Sequence, residues 1–296
     1  MGPALLPSST GSAPAFSSTP DRVGRDGALA LAFERRGRGT VLTARRFTLP
    51  LQALEPISLE EGGSACLTLL NPTGGVLGGD RLQAEIAVGP GAHVCLTTPS
   101  ATRVYRALGP PAVQETSIRL GAGATVEYIP DHVIPHPGSV FHQSLTVEMG
   151  PGSRVILSDA LAIGRLAREE RWAFRELVSR ISVTSGGRPL FLDRIRLDPS
   201  RRIPQELGGM ERFGYLASLA LFADGFAGWE DVICALEARL AAWPSVLGGV
   251  SLVAGGGCLV RFLAPSAQDL TEATRGLWAL ARHSLLGLPA LDLRKW

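Results

Sequence analysis

Glu85-Ile86-Ala87-Val88-Gly89-Pro90-Gly91-Ala92-His93-Val94-Cys95-Leu96-Thr97 decides the fold, because its pattern returns twice. Ser117-Ile118-Arg119-Leu120-Gly121-Ala122-Gly123 leads into Ala124-Thr125-Val126-Glu127-Tyr128-Ile129. Thr146-Val147-Glu148-Met149-Gly150-Pro151-Gly152 leads into Ser153-Arg154-Val155-Ile156-Leu157. Each unit is a strand-like run of alternating residue character, a Gly-x-Gly corner and a second strand. Glycine at the corner admits positive φ where the chain bends sharply. The corners fall about 30 residues apart, a spacing of stacked repeat units. Units that cannot bury a face alone stack on one another. The expected fold is therefore mainly β, a stacked-strand, β-solenoid-like (β-helical) single domain. Weaker echoes of the corner occur at Gly186-Gly187 and Gly255-Gly256-Gly257.

The repeat also aligns the turns after each second strand. Residues 97–103, 130–137 and 158–165 occupy equivalent places, so stacking gathers these polar turns along one edge. They are either a functional surface or ordinary solvated turns. Within the third unit, Phe141, Gln143, Leu145 and Val147 share one face, and His142, Ser144, Thr146 and Glu148 the other. About two helices come late. Trp229 to Ala242 spaces Ile233, Leu236 and Leu240 helically and stops before Pro244. Ser266 to Leu286 opens with Ser266 and Asp269 in a capping arrangement and carries Leu270, Leu277, Trp278, Ala281 and Leu285 on one stripe. Arg275, Arg282 and His283 are expected to face elsewhere. Residues 1–20, rich in Ser, Pro, Ala and Gly and free of charge before Asp21, read as a disordered tail. Residues 21–296 read as one β-rich domain.

Composition excludes several classes. With 29 Lys and Arg against 27 Asp and Glu the net charge is +2, which argues against electrostatic nucleic-acid binding. Aromatic residues make up only 6%, too few for stacking platforms on bases or sugars. Cys66, Cys95, Cys234 and Cys258 lie far apart with no Cys-x-x-Cys, so they read as isolated thiols in a reducing cytoplasm. The N-terminus has neither the basic start nor the apolar core of a secretory signal. No run of the sequence is long and apolar enough to span a membrane.

Asn71-Pro72-Thr73-Gly74-Gly75-Val76-Leu77-Gly78-Gly79-Asp80-Arg81 has the look of a phosphate loop but not its chemistry. A Walker loop ends in Lys and then Ser or Thr, and here Asp80 stands at the lysine position. No Gly-x-Ser-x-Gly elbow supplies a nucleophile. Asp131, His132 and His136 are the best metal candidates, since nickel and zinc accept imidazole. Pro130, Pro135 and Pro137 forbid a helical two-His motif, leaving a rigid extended turn. His132 and His136 are then either structural or a weak, transient metal contact. Asp80, Glu127, Asp131 and Asp159, set among Arg103, Arg106 and Arg165, read as turn-fixing ion pairs or as the lining of a polar passage.

The blocks NPTGGVLGGDRL (from Asn71), TTPSATRVYR (from Thr97), YIPDHVIPHPGS (from Tyr128) and SDALAIGRLAREERW (from Ser158) resemble, in order, the signature blocks of the urease accessory protein UreD (UreH) family. Pro189-Leu190-Phe191-Leu192-Asp193-Arg194 is also similar. The resemblance implies a β-helix-like fold and a non-catalytic scaffold in the cytoplasm. Its implied partners are UreF, the GTPase UreG acting through the complex, and the urease apoprotein. Its implied cargo is nickel, passed by transient contacts along an internal route, with no tightly bound cofactor. Carried over block by block, it singles out Asp80, Arg81, Thr98, Arg103, Asp131, His132, Asp159 and Arg165 as passage-lining or partner-binding residues. The competing reading is a metal-dependent hydrolase on a β-solenoid, built on Asp131, His132 and His136. A β-solenoid carbohydrate binder is a weaker third.

Overall fold

A computed structural model describes residues 25–61, 63–201 and 209–293. The tail expected over residues 1–20 lies outside them. The first half of the chain forms β1 (Asp26–Arg36), β2 (Gly39–Thr48), β3 (Gln52–Ala53), β4 (Ala65–Leu70), β5 (Arg81–Val88), β6 (His93–Thr97), β7 (Thr102–Val104), β8 (Ala112–Leu120), β9 (Thr125–Ile129) and β10 (Val133–Pro135). The second half forms β11 (Val140–Met149), β12 (Arg154–Ala162), β13 (Gly164–Arg165), β14 (Glu170–Arg171), β15 (Glu176–Ser185), β16 (Arg188–Leu197), β17 (Tyr215–Ala223), α1 (Trp229–Ala241), β18 (Leu247–Val253), β19 (Gly257–Ala264) and α2 (Ala267–Leu286).

The three repeat units are the coils β5–β6, β8–β9 and β11–β12. Their first strands run parallel in a seven-stranded sheet ordered β16-β15-β11-β8-β5-β1-β2. Their second strands run parallel in the other main sheet, ordered β18-β19-β17-β12-β9-β6-β4-β3. The result is a β-solenoid of about four turns with two helices outside it.

The two glycines of each corner have different duties. The second, Gly91, Gly123 or Gly152, sits at φ 64–66°, which β-carbon-bearing residues avoid. The first allows neighbouring corners to touch. A Cβ on Gly121 would lie 2.7 Å from Pro90 N, and one on Gly150 would lie 2.5 Å from Leu120 O. Backbone bonds then join the corners, Gly91 N–H to Ala122 O at 2.9 Å and Gly123 N–H to Pro151 O at 2.8 Å. The weaker glycine echoes do something else. Gly186-Gly187 and Gly255-Gly256 make the hairpins β15–β16 and β18–β19, whose strands pair antiparallel. There the chain turns back in its own sheet instead of crossing to the other.

Inward side chains such as Ile86, Val94, Ile118, Val126, Val147 and Val155 fill the space between the sheets near the corners. The outer face of the second sheet is covered by α1 and α2 through Leu236, Leu240, Leu270, Leu277 and Trp278. Both helices lie within a residue of their expected bounds, and Ser266 Oγ accepts from Asp269 N–H at 3.0 Å as the N-cap. Gly276, a helix-weakening residue by propensity, is explained by the end of α1 and the residues just after it: a Cβ there would meet Trp243 at 2.4 Å and Arg239 at 2.9 Å. Among the described residues no helix is long and apolar enough to cross a membrane.

Candidate functional site

The interior is not apolar throughout. Along β11 the inward positions read Phe141, Gln143, Leu145, Val147, and along β15 they read Leu177, Ser179, Ile181, Val183. Along β12 they read Leu157, Asp159, Leu161. The polar members align into a seam between two apolar clusters. Gln114, Gln143 and Ser179 are register neighbours on β8, β11 and β15, so the seam runs from coil to coil along the stacking direction. Asp159 faces it from the second sheet. Its Oδ1 accepts from Gln143 Nε2 at 2.8 Å and its Oδ2 from Ser179 Oγ at 2.7 Å. Burial pushes this carboxyl above the usual carboxylate range, against the two hydrogen bonds that favour its charged form. Tyr128, hydrogen-bonded to Thr116 beside the seam, is pushed up by burial to about 12. At the last coil Arg261 spans from β19 to Asp193 on β16 and donates to Ser218 Oγ at 3.2 Å.

Two cavities lie near this seam and share part of their lining. The first, about 50 Å³, lies between the sheets against Gln143, Asp159, Ser179, Thr98 and Asp131. The second, about 310 Å³, lies between the turn stack and α2. Pro130, Asp131 and Ser158 border both. The turns gather as expected: Thr102 pairs with Val133, and Val133 with Leu161. One boundary differs, since residues 158–162 are the continuing end of β12, held straight by its pairing with β17.

The singled-out residues do not form one cluster. Thr98 and Asp131 belong together, Thr98 Oγ1 accepting from Asp131 N–H at 2.8 Å. Asp80 is buried and caps its own turn, accepting from Leu77 N–H at 2.8 Å, with Arg25 Nε 3.9 Å away. Burial raises its carboxyl. Arg81, next in sequence, points outward beside Arg25 and Pro110. Arg103 is exposed, and its carbonyl fixes the glycine-rich turn by accepting from Val76 N–H at 2.8 Å. Arg165 grips Glu170 through two bonds of 2.5 and 2.6 Å, which holds Glu170 below the usual range. The ring of His132 stands edge-on to Tyr215 at 5.3 Å, and that of His136 edge-on to Tyr105 at 4.8 Å. Burial lowers both imidazoles, and Arg165, Arg103 and Arg168 lower His136 further. Among the described residues no three His, Cys, Asp or Glu side chains gather as a metal cage.

One expectation is overturned outright. Arg282, placed by helical spacing away from the core stripe, is fully buried. Its Nη1 donates to Glu127 Oε1 at 2.6 Å and its Nη2 to Glu60 Oε2 at 2.5 Å. Its Nε donates to Pro289 O at 2.8 Å. Glu127, also fully buried, further accepts from Trp278 Nε1 at 2.6 Å and contacts His93 Nε2 at 2.8 Å. Glu127 is thus a buried ion-pair member, but its partner lies 155 residues away and not among Arg103, Arg106 and Arg165. The seam had a signal that could have been read: Gln143 and Ser179 interrupt otherwise apolar inward positions, and Gln114 and Thr116 do so on β8. The partnership of Arg282 had none.

The match to known proteins agrees with this architecture. The family model described as UreD urease accessory protein matches residues 25–296. The chain belongs to the UreD urease accessory protein family. A urease accessory protein UreD from Alkalilimnicola ehrlichii is 35% identical over 97% of this chain and 97% of its own length. One from Delftia acidovorans is 34% identical over 88% and 90%. A urease accessory protein UreD 2 from Streptomyces griseus is 35% identical over 95% and 99%. Membership in UreD supports a role in urease maturation, and the relatives are named as accessory proteins.

Proposed function

We propose that this chain is a non-catalytic maturation factor that binds the urease apoprotein and UreF, engages UreG through that complex, and assists nickel delivery in the cytoplasm. The observation that carries the reading is the polar seam, in which Gln114, Gln143, Ser179 and Asp159 follow the stacking direction between two apolar clusters. A purely structural interior would be more stable without a buried carboxylate. A carboxylate and hydroxyl-lined path offers oxygen donors that hold a divalent cation weakly. Weak sites in series suit a cargo that must leave again. Asp131 joins the seam to the turn stack, since it borders both cavities. Asp80, Arg103 and Arg165 serve the same function indirectly by holding the turns, and Arg81 offers an outward charge to a partner.

The test compares cells expressing urease and all accessory proteins with and without this chain. The expected result without it is assembled urease that lacks nickel and activity. Fully metallated, active urease in its absence would overturn the reading.

A further inference from the structure

A sheet that is not closed on itself ends in strands whose outer N–H and C=O groups are free to pair with another strand. Along their main paths the two large sheets end in β2 and β16 and in β3 and β18. Three of these ends are blunted. β2 carries Arg45 and Arg46, β16 carries Pro189, Asp193, Arg194 and Arg196, and β3 is two residues long. β18 has none of these devices. It reads Leu247-Gly248-Gly249-Val250-Ser251-Leu252-Val253, and no charged residue occurs between Arg239 and Arg261. Leu247 is 56% and Leu252 63% exposed.

The two glycines of β18 differ. A Cβ on Gly248 would lie 2.5 Å from Arg261 O and from Phe262 Cβ, so the pairing with β19 requires glycine there. A Cβ on Gly249 would meet nothing within 4 Å. Gly249 does not take a positive φ, and the β18–β19 register has no bulge, so nothing among the described residues calls for glycine at 249. Glycine weakens a regular strand, and where no bulge explains it, it marks the close approach of another backbone.

The strand is also complementary to itself. In an antiparallel pair centred on Val250, Leu252 stands opposite Gly248 of the other copy, Ser251 opposite Gly249, and Leu247 opposite Val253. Opposed residues share a face of the joined sheet. Val250 packs on the side of α1 and Val253 on the side of the interior, so Leu252 and Gly248 meet on the first side and Leu247 and Val253 on the second. Within the strand this is the one face-matched register that seats the exposed Leu252 on glycine. Two-fold pairing closes after two copies and consumes the edge.

We propose that β18 is a homodimerisation strand: two copies of this chain join β18 to β18 antiparallel about Val250, making one continuous sheet across the pair. The proposal does not rest on the nickel reading; it adds a scaffold that presents each partner surface twice.

Sedimentation velocity on the full-length protein tests it, with Leu252→Lys and, as a control, Leu108→Lys. Both leucines are exposed enough for the fold to accept lysine, and Leu108, 92% exposed, lies on the loop between β7 and β8. The parent is expected to sediment at twice its chain mass of 31.2 kDa. Leu252→Lys is expected to raise the dimer dissociation constant at least about tenfold, because lysine forfeits the burial that leucine gains. Leu108→Lys is expected to leave it unchanged. The register is read by cross-linking in a Cys234→Ser background, which removes the exposed thiol. A short bifunctional maleimide is expected to link Val250→Cys into dimers, since the two thiols face each other across the axis. It is expected to link Leu252→Cys poorly, since its two copies stand roughly 13 Å apart along the strands. A parent that stays monomeric up to about 100 μM overturns the proposal. So does a dimer that Leu252→Lys leaves intact, or one that both cysteines link equally. If the parent is monomeric and Leu252→Lys instead lowers its binding to UreF or the urease apoprotein, the edge belongs to a partner's strand and the proposal fails.

Discussion

Replacing Glu127 with alanine tests the buried cluster most sharply. Both carboxylate oxygens are engaged, by Arg282 Nη1, Trp278 Nε1 and His93 Nε2, and neither Glu127 nor Arg282 is exposed to water. Glu127→Ala leaves Arg282 facing only Glu60 and Pro289 O, and leaves the indole N–H without its acceptor. Breaking one side of a buried pair costs about 3–5 kcal/mol. The stranded indole N–H adds about 1–3 kcal/mol, less than additively because it belongs to the same network. A loss of about 4 kcal/mol corresponds to a melting point lower by about 8–16 °C in a domain this large. The assay is a thermal melt of the purified protein, with Glu127→Ala, Arg282→Met and the double variant in one series. Removing both partners together is expected to cost clearly less than the sum of the single losses. A drop under about 3 °C for Glu127→Ala, or simple additivity in the double variant, would refute the argument that this cluster holds α2 and the segment after it to the sheet.

Asp159→Asn is expected to keep stability within about 1 kcal/mol, because one acceptor remains and the buried charge is gone. Urease nickel content measured in cells should nevertheless fall; unchanged nickel would remove Asp159 from the path. Because the folded carboxyl lies above its ordinary value, it costs stability at neutral pH and that cost lifts as pH falls through the folded pKa. Melts from pH 7 downward should show this relief in the parent and not in Asp159→Asn. His132 has the opposite sign. Its lowered imidazole binds its proton more weakly in the folded state, so stability is lost as pH falls through the ordinary histidine range near 6.5. His132→Phe should flatten that part of the profile, and an unchanged slope would assign it to other groups. At the corners, Gly150→Ala should destabilise more than Gly123→Ala in the same melts. The first forces a Cβ to 2.5 Å from Leu120 O, while the second meets open space and costs only about 1–2 kcal/mol of left-handed strain. The reverse order would contradict the stacked-corner account.

The repeat was legible because it is local. Alternating strands joined by Gly-x-Gly impose both a bend and a period, and the parallel pairing of residues 82–88 with 114–120 and of Ser117 with Thr146 comes from stacking equal units. The helices were legible for the same reason, since Ser266 and its apolar stripe act within a few turns of chain. The glycine echoes at residues 186 and 255 misled because glycine signals a turn without saying whether the chain changes sheets. Of the site, the stacked turns could be read from repeat register, and Asp159 from its block. That Gln143 and Ser179 close on Asp159 required both sheets to be laid face to face.

Sequence alone thus determined the coils, their period, the turn edge, the two helices and the family blocks, because each is encoded within about one repeat of chain. Tertiary structure decided which charges are buried together. Glu60, Glu127 and Arg282 lie as far as 222 residues apart, and Arg282 flanks the apolar stripe, four residues after Trp278 and three before Leu285. Helical periodicity reports one apolar face. It does not report that a second surface, the loop at Glu60 and the segment at Pro289, folds over the flank of that face and supplies the acceptors that offset the desolvation of a buried guanidinium.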